Sequence, residues 1–211
     1  MRTLSLALML ASSLWLCACS DKSSDKAGTD GTMQLSPVDS AFKNTDVTGL
    51  GYAKDFALTD HNGKPRTLAD FKGKAVVVFF GFTQCPDVCP TTMAEMAGVM
   101  QQLGPQAEKV QVLFISIDPE RDTPQLLSQY VPAFHPSFLG LVGDKAATEK
   151  VAKEFRVFYQ KVPGKTPGSY TMDHTAGSYV FDPQGRIRLF VRHGQGAEPI
   201  AHDLKLLLAG K

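Results

Sequence analysis

Ala75-Val76-Val77-Val78-Phe79-Phe80-Gly81-Phe82, followed at once by Thr83-Gln84-Cys85-Pro86-Asp87-Val88-Cys89-Pro90, decides how this chain folds. The first eight residues are β-branched or aromatic almost throughout, the pattern of a strand buried on both faces. Pro90 stands where a first helical residue is favoured. Residues 91–103 then carry Met93, Met96, Val99 and Met100 at helical spacing, which reads as a core stripe more readily than as a metal-binding methionine box. Two cysteines at i and i+4 between a buried strand and a helix can close a disulfide or hold a soft metal. The motif alone leaves both uses open.

Working outward, 110–117 is a second buried strand. It ends in Asp118-Pro119-Glu120-Arg121-Asp122-Thr123-Pro124, where Asp122 or Thr123 can cap a helix opened by Pro124. Asp118 ends the strand near the cysteines and could orient the loop, although capping is the ordinary role of this segment. A weaker strand is expected at 137–142, a helix at 146–155, and a strand or extended edge at 157–162, before a Gly/Pro loop at 163–169. Residues 177–182 and 187–191 flank Pro183-Gln184-Gly185-Arg186, a hairpin signal. Residues 198–208 close the chain as an amphipathic helix. Upstream, Phe56–Thr59, the Asp60-His61-Asn62-Gly63 turn and Arg66-Thr67-Leu68 predict a small β-hairpin. The expected fold is α/β and thioredoxin-like: a central mixed sheet flanked by helices, with an N-terminal β-hairpin and the cysteines after a central strand.

The N-terminal end has a different character. Met1-Arg2 precedes an apolar run from Leu4 to Leu16, too short to span a bilayer and shaped like a secretory h-region. It ends in Leu16-Cys17-Ala18-Cys19-Ser20, which resembles a bacterial lipobox. That resemblance makes 1–18 a signal peptide and Cys19 the lipidated N-terminus, anchoring an exported protein in the cell envelope on the periplasmic side. Residues 20–45 are rich in Ser, Asp, Lys, Gly and Thr and read as a tether, so 19–48 is expected to be a flexible lead and 49–211 the folded domain. With 22 Lys+Arg against 21 Asp+Glu, no basic surplus points to nucleic acid. Setting aside Cys17 and Cys19 leaves Cys85 and Cys89, a pair too closely spaced to staple a domain and therefore there for chemistry.

A helix N-terminus beyond the cysteines is expected to lower thiol pKa and favour thiolate. Thiolates suit Cu(I), and imidazole suits both copper oxidation states. Of the five histidines, His61, His135, His193 and His202 fall on turns, loops or a surface-patterned helix. His174, in Met172-Asp173-His174-Thr175, lies at the mouth of the 177–182 strand, which in a thioredoxin-like fold faces the cysteine motif. Redox thioredoxins carry a cis-proline on that loop; here the nearest upstream proline is Pro167. Met172 could add a weak axial contact, and Asp87 is by default a solvated turn residue.

Three motifs in order, Phe79 through Pro90, Ile115-Ser116-Ile117-Asp118-Pro119-Glu120-Arg121-Asp122-Thr123-Pro124, and Asp173-His174-Thr175, resemble the Sco/SenC family over about 51–208. The resemblance implies a thioredoxin-like copper protein with Cys85, Cys89 and His174 as metal ligands for Cu(I) or Cu(II). It also implies a partner: the CuA site of cytochrome c oxidase subunit II or another copper acceptor, with a periplasmic copper donor or thiol reductant upstream. The competing use of Cys85 and Cys89 is as the redox pair of a thiol–disulfide oxidoreductase. A peroxidase is disfavoured. Cys89-Pro90-Thr91 resembles the peroxiredoxin motif, but the threonine three residues before the peroxidatic cysteine is replaced by Pro86 or Phe82.

Overall fold

The computed structural model describes residues 41–211, so Cys19, the expected signal peptide and most of the expected lead lie outside the described residues. The chain opens with β1 (Thr45–Asp46), then the hairpin of β2 (Ala57–Asp60) and β3 (Pro65–Thr67). The central unit follows: β4 (Ala75–Gly81), α1 (Val88–Leu103) and β5 (Val110–Ser116). After it come α2 (Pro124–Tyr130), β6 (Leu139–Val142) and α3 (Lys145–Glu154). A second hairpin, β7 (Tyr159–Pro163) and β8 (Tyr170–His174), precedes β9 (Ser178–Phe181), β10 (Ile187–Val191) and α4 (Ala197–Leu208).

Among the described residues, eight strands form one sheet in the order β1-β10-β9-β4-β5-β6-β2-β3, while β7 and β8 form a separate pair. β4, β5 and β6 run parallel, and the flanking pairings are antiparallel. This is the expected thioredoxin-like mixed sheet. Every residue of β4 and β5 is buried, and each fully buried Val or Phe contributes roughly 1.5–3 kcal/mol relative to exposure. That burial fixes the central strands and hence the point where the chain leaves the sheet. Met93, Met96 and Met100 lie in the core, as their spacing predicts. In the β2–β3 hairpin, the buried Asp60 carboxylate accepts the Asn62 and Lys64 amides and the Arg66 guanidinium. Thr123, rather than Asp122, caps α2 by accepting the Leu126 amide.

Three boundaries differ from the sequence reading. α1 begins at Val88, so Pro90 is its third residue. It still lies among the first four N–H positions that lack an intrahelical partner, where a missing donor is tolerated. The segment 170–174 is a strand and not a loop, paired with β7 so that Tyr159 faces His174. The folded body also begins before residue 49. Thr45 pairs with Phe190 and Asp46 with Leu189. The buried Asp203 carboxylate accepts the Lys43 amide at 2.9 Å, the Asn44 amide at 2.8 Å and the Asn44 side-chain amide at 2.8 Å.

β4 ends at a crowded glycine. A Cβ built on Gly81 would stand 2.8 Å from Phe114 Cε2, 2.9 Å from Phe79 Cε1 and 3.0 Å from Cys89 Sγ. Gly81→Ala is therefore expected to destabilise the domain by about 1–3 kcal/mol through overpacking, lowering Tm by roughly 3–10 °C. Gly98→Ala, whose Cβ meets only Ala197 Cβ at 3.4 Å within α1, should be neutral or stabilising; equal Tm for the two variants would discount the crowding. Asp203→Ala strands the two arm amides, an expected loss of about 1–3 kcal/mol. Thermal unfolding that left Tm unchanged would remove the arm from the fold's stability.

Candidate metal centre

The cysteines leave the sheet where β4 ends. Thr83 is pinned by Asp122, whose buried carboxylate accepts the Thr83 hydroxyl at 2.6 Å and the Ser116 hydroxyl at 2.6 Å. Cys85 follows on the turn and Cys89 falls in the first turn of α1. The Cys89 amide, one of the helix's unpaired N-terminal donors, donates to Cys85 Sγ at 3.3 Å. Cys85 is partly exposed, Cys89 is buried, and both are free thiols.

His174 arrives from the other side, at the end of β8. Its imidazole meets the rings of Phe79 and Phe82 edge-on, with centroids 6.3 and 6.1 Å away. Nδ1 lies 2.9 Å from the Thr175 carbonyl, which can only accept, so Nδ1 carries the proton. Nε2 is then the free base, and it stands 3.9 Å from Cys89 Sγ. Burial holds His174 below the ordinary imidazole value, against the upward pull of the Thr175 carbonyl and Asp173, which keeps it neutral and ligand-competent.

The thiolate expectation does not hold for Cys89. Burial pushes its thiol well up, and the neighbouring Cys85 sulfur and the Asp122 carboxylate push the same way. Desolvation outweighs the helix N-terminus here because Cys89 is buried in the core, its sulfur 3.0 Å from where a Cβ on Gly81 would stand.

The spacing suits a shared soft metal. An ion about 2.3 Å from a thiolate sulfur and about 2.0 Å from an imidazole nitrogen, the distances found at zinc, sets the two donors about 3.7 Å apart at a trigonal angle. Among the described residues no group of three such donors is already assembled; the Cys89–His174 edge is in place, and Cys85 is turned to the helix amide. Cys85, Pro86, Phe82, Met172, His174 and Ala176 line an open depression over these donors.

The other histidines bond elsewhere. His61 Nδ1 accepts the Gly140 amide, His135 meets Ser137, His193 meets Thr92, and His202 meets Asp203. Asp87 is exposed and accepts the Thr91 hydroxyl at 3.3 Å. Pro167 lies in the turn between β7 and β8, so the link from His174 to β9 has no proline. Sequence reasoning missed Thr83, Ser116, Arg121 and Tyr170. Thr83, Arg121 and Tyr170 meet partners 37 to 52 residues away, Ser116 meets Asp122 across the loop after β5, and only Asp118 hinted at them.

The chain is similar to several curated proteins and solved structures. The bovine SCO2 homolog, a mitochondrial protein, is 38% identical over 157 residues, covering 74% of this chain and 59% of that protein. ScoI of Bradyrhizobium japonicum, solved with copper bound, is 47% identical with a TM-score of 0.68, covering 73% of this chain and 98% of that one. Apo Sco1 of Thermus thermophilus is 42% identical with a TM-score of 0.69, covering 79% and 99%. The SCO1/SenC family model matches residues 46–209, so that the cysteine turn and the β8 histidine both lie within it, and the chain belongs to the SCO1/SenC family.

Proposed function

We propose that this protein is a membrane-tethered copper metallochaperone, in which Cys85, Cys89 and His174 hold Cu(I) or Cu(II) and release it to the CuA site of cytochrome c oxidase or another copper acceptor. The observation that carries the reading is the free Nε2 of His174 facing Cys89 Sγ at 3.9 Å. Two sulfurs and one neutral imidazole are a soft donor set that suits copper. The copper-bound ScoI relative supports the same reading, and the acceptor follows from the family resemblance. Loading releases the Cys89 proton, since only the thiolate is a ligand. Release is by ligand exchange, and the open, partly exposed side at Cys85 suits an incoming donor from a partner.

The lipid tether rests on the lipobox at Cys19 and places the domain in the bacterial envelope, facing the periplasm. Among the described residues no helix is long and apolar enough to cross a membrane.

A second use of the same pair is favoured by the asymmetry of the cysteines. Cys85, partly exposed, can attack a partner disulfide as thiolate, and the buried Cys89 can resolve the mixed disulfide. The partner's cysteines gain two electrons and the Cys85–Cys89 disulfide forms.

Anaerobic Cu(I) titration is expected to give one equivalent per chain. His174→Ala should weaken binding by at least about tenfold, the scale on which even outer-sphere partners of metal ligands act. An unchanged affinity would remove His174 from the site. Turnover of a partner disulfide by a protein that takes up no copper would favour the oxidoreductase. For the anchor, Cys19→Ala should move the protein from the membrane fraction to the soluble one; continued membrane retention would refute lipidation there.

A further inference from the structure

The Asp118–Pro124 stretch does more than cap α2. Asp118 is buried, and its carboxylate takes the Nε–H of Arg121 and the hydroxyl of Tyr170, the latter at 2.8 Å. The guanidinium carbon of Arg121 lies 3.6 Å from the centroid of the Tyr170 ring, a close cation–π contact. Arg121 Nη1 donates to the Tyr170 carbonyl at 2.9 Å and to Gln84 Oε1 at 3.0 Å. Gln84 immediately precedes Cys85, and Tyr170 opens the strand that ends in His174. One guanidinium therefore touches both segments that carry the sulfur and imidazole donors. From β7, Lys161 adds a second strut: its ammonium lies 4.6 Å from the Tyr170 ring centroid and pairs with Glu120.

The β7–β8 hairpin needs such a fixing. It forms its own two-stranded sheet, and an isolated pair of strands is marginal in water. Tyr170, Met172 and His174 alternate with the exposed Thr171 and Asp173, so all three face the body of the domain. A hold on Tyr170 is thereby transmitted along one face to His174. Stability alone explains the arrangement poorly. Arg121 Nη2 is buried with no hydrogen-bond partner among the described residues, and a buried ion pair roughly breaks even against a well-packed apolar replacement.

We propose that Arg121 is a positioning residue, clamping the β7–β8 hairpin to the cysteine turn so that His174 Nε2 stays within reach of the Cys89 sulfur. Its consequence for metal rests on the copper reading above; its geometry does not.

Hydrogen exchange on the metal-free full-length protein tests the clamp directly. Arg121→Ala should speed exchange of the β7–β8 amides by about tenfold or more as local opening becomes easier, with β4 and β5 unchanged. Arg121→Lys, which keeps a cation over Tyr170 but loses the forked hydrogen bonds, should fall between. Unchanged hairpin exchange, or faster exchange throughout the domain, overturns the proposal. The second measurement is the Cu(II) absorption spectrum. Arg121→Ala should keep two titratable thiols while its spectrum moves toward that of His174→Ala, with Arg121→Lys partly restoring the wild-type form. A loosened hairpin with a wild-type spectrum overturns the positioning role. Failure of the wild-type protein to take up copper counts against the copper reading alone, and exchange still decides the clamp.

Discussion

Cys89 reaches the end of β4 because position 81 has no side chain, and the properties of the candidate metal centre follow from that close approach. The sulfur, the Phe79 ring and the Phe114 ring all crowd the space a Cβ would take. A sulfur seated there is dry, and its thiol holds its proton. The same apolar surroundings, with Phe79 and Phe82 edge-on to the imidazole, hold His174 neutral. Both donors thus prefer their uncharged forms. A monovalent soft cation such as Cu(I) would change the balance, because it and one thiolate together bring no net charge into the pocket. On the copper reading proposed above, loading would exchange a proton for a metal ion at a site whose dryness opposes an unpaired charge.

The parts of this design that repeat along the chain were legible in the sequence. The all-apolar runs of β4 and β5, the methionine stripe of α1 and the turn at 183–186 each carry a local pattern with a known cause. The two cysteines stood out by their number and spacing. His174 was singled out by its place in the chain order and by family resemblance, and the structure seats it on a strand instead of a loop. What escaped the sequence depends on distant partners. β1 is two polar residues whose partners are the backbone of β10 and, just upstream, a carboxylate 159 positions away. Nothing periodic announces it. The direction of the Cys89 shift was misjudged for a related reason. A helix N-terminus can be read locally, while the burial of Cys89 beside Gly81 is decided only when the chain folds.

Segments that bear donors are held here by charged side chains working at the margin of the core. Asp122 secures the start of the cysteine turn through Thr83 and Ser116, and Asp118 secures the hairpin through Tyr170 and Arg121. Both carboxylates come from the short loop after β5. One loop thereby registers the sulfur side and the imidazole side against a common reference, which suits a site whose two halves come from positions 85–89 and 174.

The pairing of β1 fixes where the leading chain joins the domain. β4 rises toward the cysteine turn, β9 descends from it, β10 rises again and β1 descends. Followed backward from Thr45, the chain heads for the end of the sheet at which the sulfurs emerge. A tensile load applied through the preceding residues would be taken first by the Asp203 clasp and the two β1 pairings, before reaching any core strand. Among the described residues the leading chain therefore joins the domain at the end of the sheet from which the cysteine turn emerges, so a pull on that chain is felt first at the end that carries Cys85 and Cys89.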